Sequence, residues 1–567
     1  MKISKSWLKE LVDLNCSVEE LIKLLALRSV STKEVTEDFI ELDMKGYNRA
    51  DLLSMRGVAQ EVSAITGSKL LFKEPQEADF VWNQQELPSV KVEVEDEKLC
   101  QLYCVAKIEN LKPLNSPKDW VKKLSDSGVR SIDTITDITN LIMLEYGQTI
   151  HAFDVAKVAQ ETMIVRLAKK DEQFVTLDGK VRKLTKEDLL IADPQGILSL
   201  SGIMGGKDSE ITKNTNSILL EVAIFDPVSI RKSSQRFGLQ SEASKRIQHG
   251  LTKTRLLQAL NAAIKMYESL GGKLTAISII GNTADKVGKI TLTKKKLEEL
   301  VGVKFEDKQV EDYLQKLGFE TASHISSGNV VWEVTVPYWR LDVNIEEDVI
   351  EEVARMYGYE KIPAHAVSES KPLQEEDPIF KTISDLRQKL VDLGLTEVQT
   401  YSFYSTRVLE ALGLQKDILV KVANPISSET EYLRSDLWPN LVEAIDKNIR
   451  KGFKDIAIFE IGKAFQMEND GKPVEDYRLS IALMNGSDNP LEELHQISQK
   501  LSLHLGRGLI AQEEVKLNKA LPSSLDEGKL RLFHPKRQLE NSAEVHLRIL
   551  NKFGIEKRVA ILEIEIS

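Results

Sequence analysis

The sequence predicts a multidomain α+β protein, and three observations carry that expectation. Its 567 residues far exceed the roughly 250 to 300 at which a single hydrophobic core stops growing. Apolar stripes of helical period alternate with strand-like runs along the whole chain. Two stretches rich in Pro, Gln and charge interrupt both periods and read as connectors.

Composition narrows the class. With 42% hydrophobic and 29% charged residues the chain reads as an ordinary soluble protein, and no apolar run is long enough to span a bilayer, so no membrane partner is expected. Three cysteines, Cys16, Cys100 and Cys104, are too few for a disulfide framework or a structural zinc site, which points to a reducing cytoplasm. A net charge of -11 excludes a protein that coats nucleic acid non-specifically, while leaving room for a local patch. The basic run DKNIRKGFK (446–454) offers such a patch, although runs of this kind are more often a solvated helix face.

The N-terminal module, 1–75, is expected to be helical or α+β. SVEELIKLLALRSVSTKEV has helical spacing after Ser17, which forms a capping box with Glu20, and ADLLSMRGVAQEVSAITG predicts a second helix with Asp51 as N-cap and Gly67 as its end. Residues 76–89 read as a linker. From Val90 the alternation VKVEVED opens an α/β domain over 90–285, with strands such as SILLEVAIF and helices such as TKTRLLQALNAAIKMYESLGG. A small α+β module over 286–364 runs from ITLTKKKLEELVG through EDKQVEDYLQKLGFE and the strand WEVTVP to the helix DVIEEVARMYG. After the connector KIPAHAVSESKPLQEEDP, residues 365–567 open with the helix PIFKTISDLRQKLVDLGL. The runs DILVKVA, DIAIFEIG, RLSIALM and RVAILEIEI then predict an antiparallel sheet carrying helices.

Two clusters carry chemistry. In RLDVNIEEDVIEEVARMYGY, Asp348, Glu351 and Glu352 fall at i, i+3 and i+4, on one helical face, with Asp342 just upstream. Carboxylates so grouped suit a hard cation such as Mg2+, but acidic residues at a helix start are also favoured by the helix dipole alone. In SILLEVAIFDP a lone Glu221 interrupts an apolar strand. It is either a costly buried carboxylate with a purpose or a carboxylate on the solvent face of a half-buried strand.

Several phrases, in order, resemble the β subunit of bacterial phenylalanyl-tRNA synthetase: YNRADLLSMRGVAQEVSAITG, DITNLIMLEYGQTIHAFD, LSGIMGGKDSEI, RLDVNIEEDVIEEVARMYGY, ANPISSETEYLRSDLWPNLVEAI and FEIGKAF. The resemblance implies that 90–285 is an editing domain and that 365–567 is a class II synthetase-like sheet which has lost its ATP chemistry. ATP-dependent attachment of phenylalanine to tRNA(Phe) would then belong to an α2β2 heterotetramer whose α subunit holds the aminoacylation site, in the cytoplasm. It further implies one structural Mg2+ per subunit on Asp342, Asp348, Glu351 and Glu352, with ATP a substrate of the holoenzyme.

For editing, the resemblance places Glu221, His151, Thr139, Asn140, Gly202, Ser241 and Ala243 in a pocket that hydrolyses Tyr-tRNA, with His151 near the terminal ribose. Such a second site is needed because an apolar pocket rejects an added hydroxyl by only about a hundredfold. The chain departs from the family pattern at Thr149, usually Pro, at Ser241, usually Thr, and at Ile247, Gln248 and His249. The family's tRNA-binding insertion and C-terminal anticodon-binding domain are also expected to be missing. A stand-alone trans-editing hydrolase and a non-enzymatic RNA-binding scaffold are the alternative functions.

Overall fold

The computed structural model describes residues 1–84, 86–326, 328–365, 377–468, 471–485, 489–504, 533–539 and 542–566, with 502–504 and 533–539 as backbone only. Most of the connector expected over 361–378, and Gln85 of the expected linker, lie outside the described residues. The chain forms two compact units, Met1–Ala366 and Val367–Ser567.

The first unit opens with helices Lys5–Leu11, Val18–Arg28 and Met55–Thr66 beside a three-stranded antiparallel sheet. Helix Val18–Arg28 starts where local chemistry dictates, because the Ser17 hydroxyl accepts the Glu20 amide at 3.1 Å. The helix Met55–Thr66 is capped differently from expectation. Ser54, in extended backbone, accepts the Gly57 amide at 3.0 Å, while Asp51 sits one turn earlier in the turn Asp51–Leu53 and binds Arg49 at 2.7 Å. Asp51 is buried, and a guanidinium compensates its full charge where a backbone amide would compensate only part.

Residues of this N-terminal part share a core with the small module. Trp7, Met55, Val58 and Val62 pack in one apolar cluster with Leu297, Val310, Trp332, Val349 and Val353. That module is a three-stranded antiparallel sheet, Lys289–Thr293, Asn329–Thr335 and Glu320–Ser326, carrying helices Lys294–Val301, Asp307–Lys316 and Glu346–Tyr357. Within the expected linker the chain is anchored at one point: Phe80 is buried in the core of the next domain, and the Val81 amide donates to Asn261 Oδ1 at 3.0 Å.

Between these parts in sequence lie two larger sheets and the two-stranded pair Gln173–Val175 with Val181–Lys183. A four-stranded antiparallel sheet has the order Lys273–Gly281, Cys100–Glu109, Ile218–Phe225, Ile150–Asp154. Helices Thr134–Tyr146 and Lys253–Ser269 cover one face, with Ile138, Ile142 and Leu260 packed against Leu102, Cys104, Leu220 and Val222. The other face, with Tyr103, Val105, Phe153, Leu219 and Ala223, packs against Met163, Val165, Leu190 and Leu198 of a five-stranded sheet. Strand Ile218–Phe225 is therefore covered on both sides, and all eight of its residues are buried. That placement removes the solvent-face alternative for Glu221.

The second unit is built on a six-stranded sheet, order Thr396–Glu397, Ile456–Met467, Pro473–Met484, Ala560–Ile566, Ser542–Val545, Phe533–Leu539, antiparallel except for the first pair. DILVKVA forms no strand of it. It makes a short turn of helix, Lys416–Ile418, and a single bridge from Lys421 to Tyr432. Its apolar residues Leu419 and Val420 are buried without entering a ladder. The basic run near Lys447 behaves as a solvated helix face: Lys447 pairs with Glu443 at 2.9 Å and Arg450 with Asp446 at 3.0 Å.

Candidate functional site

Strand register builds the site. Glu221 stands directly opposite Val105 on one side and His151 on the other, so all three project from the same face of the four-stranded sheet. The strand-period alternation places Tyr103, opposite Ala223, on that face as well. The His151 ring packs edge-on against Phe153 with centroids 4.5 Å apart. Gly205, on the facing sheet, approaches so closely that a Cβ there would lie 3.1 Å from His151 Cε1 and Nε2. Gly202 has φ +61°, and a Cβ on it would sit 2.2 Å from Ile247 Cδ1.

Burial sets the protonation of the pair. Removal from water pushes the Glu221 carboxyl up to about 8 and the His151 imidazole down to about 4, so both are neutral at pH 7. A neutral carboxylic acid is both a hydrogen-bond donor and an acceptor, and a neutral imidazole likewise has one of each. Such a pair is equipped to read a hydroxyl and to hold or pass a proton.

Of the other expected pocket residues, Thr139 and Ser241 make their side-chain hydrogen bonds within their own segments. Thr139 donates its hydroxyl to Thr136 O at 2.7 Å within its own helix, and neither it nor the half-buried Asn140 hydrogen-bonds to Glu221 or His151 among the described residues. Ser241 caps the helix Glu242–His249 by accepting the Ser244 amide at 3.0 Å, and Ala243 lies in the first turn of that helix. Ile247 of the same helix lies against Gly202, so the segment that departs from the family pattern borders that glycine.

The acidic helix is gathered around arginines. Arg340 holds Asp342 through two contacts of 2.9 and 2.7 Å and donates to Glu352 at 2.8 Å. Arg355 donates to the same Glu352 at 2.9 Å and reaches Glu61, which also takes Arg49 at 2.9 Å. Burial raises the Glu61 carboxyl, but Arg355 and Arg49 more than offset it and hold it at about 2. Asp348 instead accepts the Asn344 and Ile345 amides at the helix start, at 2.7 and 3.0 Å, and Glu351 is exposed. Among the described residues no group of three side chains is placed to hold a metal ion. In this arrangement the four carboxylates do not converge on one Mg2+ position, because Arg340 and Arg355 engage Asp342 and Glu352 while Asp348 is turned to the helix-start amides.

Comparison with known proteins resolves what these parts belong to. Residues 99–272 match the B3/4 domain, 290–359 the tRNA synthetase B5 domain and 362–566 the phenylalanyl tRNA synthetase beta chain CLM domain. The phenylalanine–tRNA ligase beta subunit of Syntrophotalea carbinolica is 31% identical over 535 residues, covering 91% of this chain and 66% of that protein. The chain belongs to the phenylalanine–tRNA ligase β-subunit family. Beta subunits from Carboxydothermus hydrogenoformans and Bacillus subtilis are 34% and 33% identical, over 78% and 77% of this chain. They are covered over 55% and 54% of their own length, so the chain spans between half and two thirds of the relatives it matches.

Within the family frame, Glu221, His151 and the other pocket candidates all fall inside the B3/4 match, and the four carboxylates fall inside the B5 match. Sequence reasoning missed Tyr103, Gly205 and Gln148. Gln148 is fully buried and donates to Thr149 O and Ala223 O, tying the turn before His151 to the strand of Glu221. A glutamine just before a strand carried no signal of that role, whereas the GG pair in LSGIMGG was available for Gly205.

Proposed function

We propose that this chain acts as the β subunit of a phenylalanine–tRNA ligase, in an α2β2 enzyme whose α subunit performs ATP-dependent attachment of phenylalanine to tRNA(Phe). Its own chemistry, on this reading, is hydrolysis of Tyr-tRNA in the Glu221–His151 pocket. The observation that carries this is a buried carboxylic acid, neutral at pH 7, facing a neutral imidazole on the next strand.

The discrimination follows from hydrogen bonding. A tyrosyl ring entering the pocket donates its phenol O–H to Glu221, while a phenylalanyl ring leaves that buried group unpaired, at a cost of about 1 to 3 kcal/mol. A water positioned beside the ester attacks its carbonyl carbon, the bond to the ribose oxygen breaks, and that departing oxygen takes up the proton the water gives up, leaving a free ribose hydroxyl and the free amino acid. His151 holds the terminal ribose by a hydrogen bond at that oxygen. No step is routed through magnesium, since Asp342, Asp348, Glu351 and Glu352 are not arranged to receive it. Thr139, Asn140, Ser241 and Ala243 would shape the walls.

The test is hydrolysis of pre-charged tRNA by the chain co-expressed with the α subunit encoded in the same genome. Glu221→Ala should lower kcat/KM for Tyr-tRNA relative to Phe-tRNA by about 5- to 100-fold. An unchanged ratio would refute the role of Glu221, and failure of the two chains to co-purify would refute the subunit reading.

A further inference from the structure

On the face that carries Glu221 and His151 lies a polar group that no described residue satisfies. Tyr103 is 0% exposed, in the middle of the inner strand Cys100–Glu109, and its hydroxyl has no hydrogen-bond partner among the described residues. Buried hydroxyls are ordinarily paired, because leaving one unmade forfeits the hydration it had in the unfolded chain. A phenylalanine would fill the same space without that cost. An unpaired hydroxyl that persists at such a position is explained if its partner arrives with a ligand.

Geometry says which ligand. Tyr103 pairs with Ala223 and Glu221 pairs with Val105 across the same two strands, so Tyr103 and Glu221 are diagonal neighbours on one face, within reach of a shared group for side chains of this length. Burial, and then the nearby Glu221, hold the Tyr103 phenol well above its ordinary range, so it keeps its proton and can donate. The Cys100 thiol on the same strand is likewise pushed up by burial and then by Glu221.

Resting on the reading of Glu221 given above, we propose that Tyr103 is a second specificity-determining residue of the pocket, donating its O–H to the ring hydroxyl of a bound tyrosyl ester. The substrate oxygen then accepts from Tyr103 while its own hydrogen is donated to Glu221. A phenylalanyl ester satisfies neither group, so discrimination rests on two buried polar groups rather than one.

The experiment is deacylation of Tyr-tRNA and Phe-tRNA by the full chain, co-expressed with its α subunit, carrying Tyr103→Phe. The substitution preserves ring and packing, and because no internal hydrogen bond is lost the variant should melt at or above the wild-type temperature. The ratio of kcat/KM for the two substrates should fall about 3- to 10-fold, chiefly through slower Tyr-tRNA hydrolysis. Equal slowing of both substrates would reduce Tyr103 to a packing role and overturn the inference. An unchanged ratio in Tyr103→Phe, with the ratio lowered in Glu221→Ala, would overturn it while leaving Glu221 its role. An unchanged ratio in both would overturn the reading on which it rests.

Discussion

Glu221 and His151 stand opposite each other on adjacent antiparallel strands, and burial moves their proton affinities toward and past one another, the carboxyl to about 8 and the imidazole to about 4. The usual order of acid and base is thereby inverted: between these limits both groups are uncharged. The pair therefore presents hydrogen-bonding groups without net charge to whatever enters.

A pH signature follows from the inversion. Glu221 keeps its proton in the fold up to about 8 but loses it near 4.5 when unfolded, so its contribution makes stability fall as pH rises through that window. His151 is neutral in the fold down to about 4 but charges below 6.5 when unfolded, so its contribution makes stability rise from 4 to 6.5. The two slopes oppose each other up to 6.5, and above it only that of Glu221 remains. The Glu221 contribution should drop by roughly 2 kcal/mol between pH 6.5 and 8, and Glu221→Gln should remove it, leaving only the smaller decline up to about pH 7 that the buried Glu563 carboxyl, raised to about 7, contributes. Thermal melts at the two pH values decide it, and parallel behaviour of wild type and variant would contradict the burial of an ionisable group at this position.

Gly205 governs where the imidazole sits. Its missing side chain leaves room that a methyl would take from His151, at 3.1 Å from two ring atoms. Gly205→Ala should therefore slow hydrolysis of Tyr-tRNA and Phe-tRNA alike, by about 10-fold or more, since displacement of a positioning group by a fraction of an ångström is costly. Their ratio should hardly change, because the hydroxyl-reading residues lie on the neighbouring strands. A shifted ratio would mean that His151 takes part in reading the ring.

How much of this was legible in the sequence depends on how local the cause is. Ser17 caps its helix through a neighbour three residues away, and the spacing alone revealed it. Glu221 stood out because seven apolar residues surround it in one strand. Tyr103 did not, since a tyrosine among apolar strand residues reads as core and only an unpaired hydroxyl marks it otherwise. Ion pairing of Arg355 with Glu61 joins residues 294 apart, and nothing in either segment announces the other. Without that knowledge the acidic face looked free to take a metal. DILVKVA failed for a related reason: apolar alternation shows that a segment is buried, not that a strand edge awaits it.

That ionic lattice makes the metal question measurable. Arg340, with side-chain exposure of 3%, compensates Glu352 at 4%, so Arg340→Met would leave a buried carboxylate short of one cation. A loss of about 3 kcal/mol is expected. Replacing Arg340 and Glu352 together by methionine should cost less than Arg340→Met and Glu352→Met summed, as a double-mutant cycle would reveal. Addition of a chelator should leave the melting temperature of the wild-type chain unchanged, because arginines hold Asp342 and Glu352 and backbone amides hold Asp348. A chelator-dependent fall would show instead that the four carboxylates rearrange around an ion.

A second buried pair anchors the other unit. Arg434 donates to Glu460 at 2.8 Å, to Lys463 O at 2.9 Å and to Thr400 Oγ1 at 2.9 Å, and Glu460 in turn accepts from Thr400. Both charges are almost wholly buried, and the strand Ile456–Met467 approaches them so closely that a Cβ on Gly462 would lie 2.5 Å from Arg434 Nη2. The guanidinium thus holds the segment from Leu433 onto this strand, and its compensation comes chiefly from one carboxylate. Glu460→Ala removes that compensation and should destabilise the unit by about 3 to 5 kcal/mol. Glu460→Gln keeps an acceptor in place and should cost visibly less. Urea unfolding of the full chain, followed by a probe in the second unit such as Trp438 fluorescence, separates the two. Equal losses would mean that shape rather than charge makes Glu460 necessary, and the role assigned to the pair would fall.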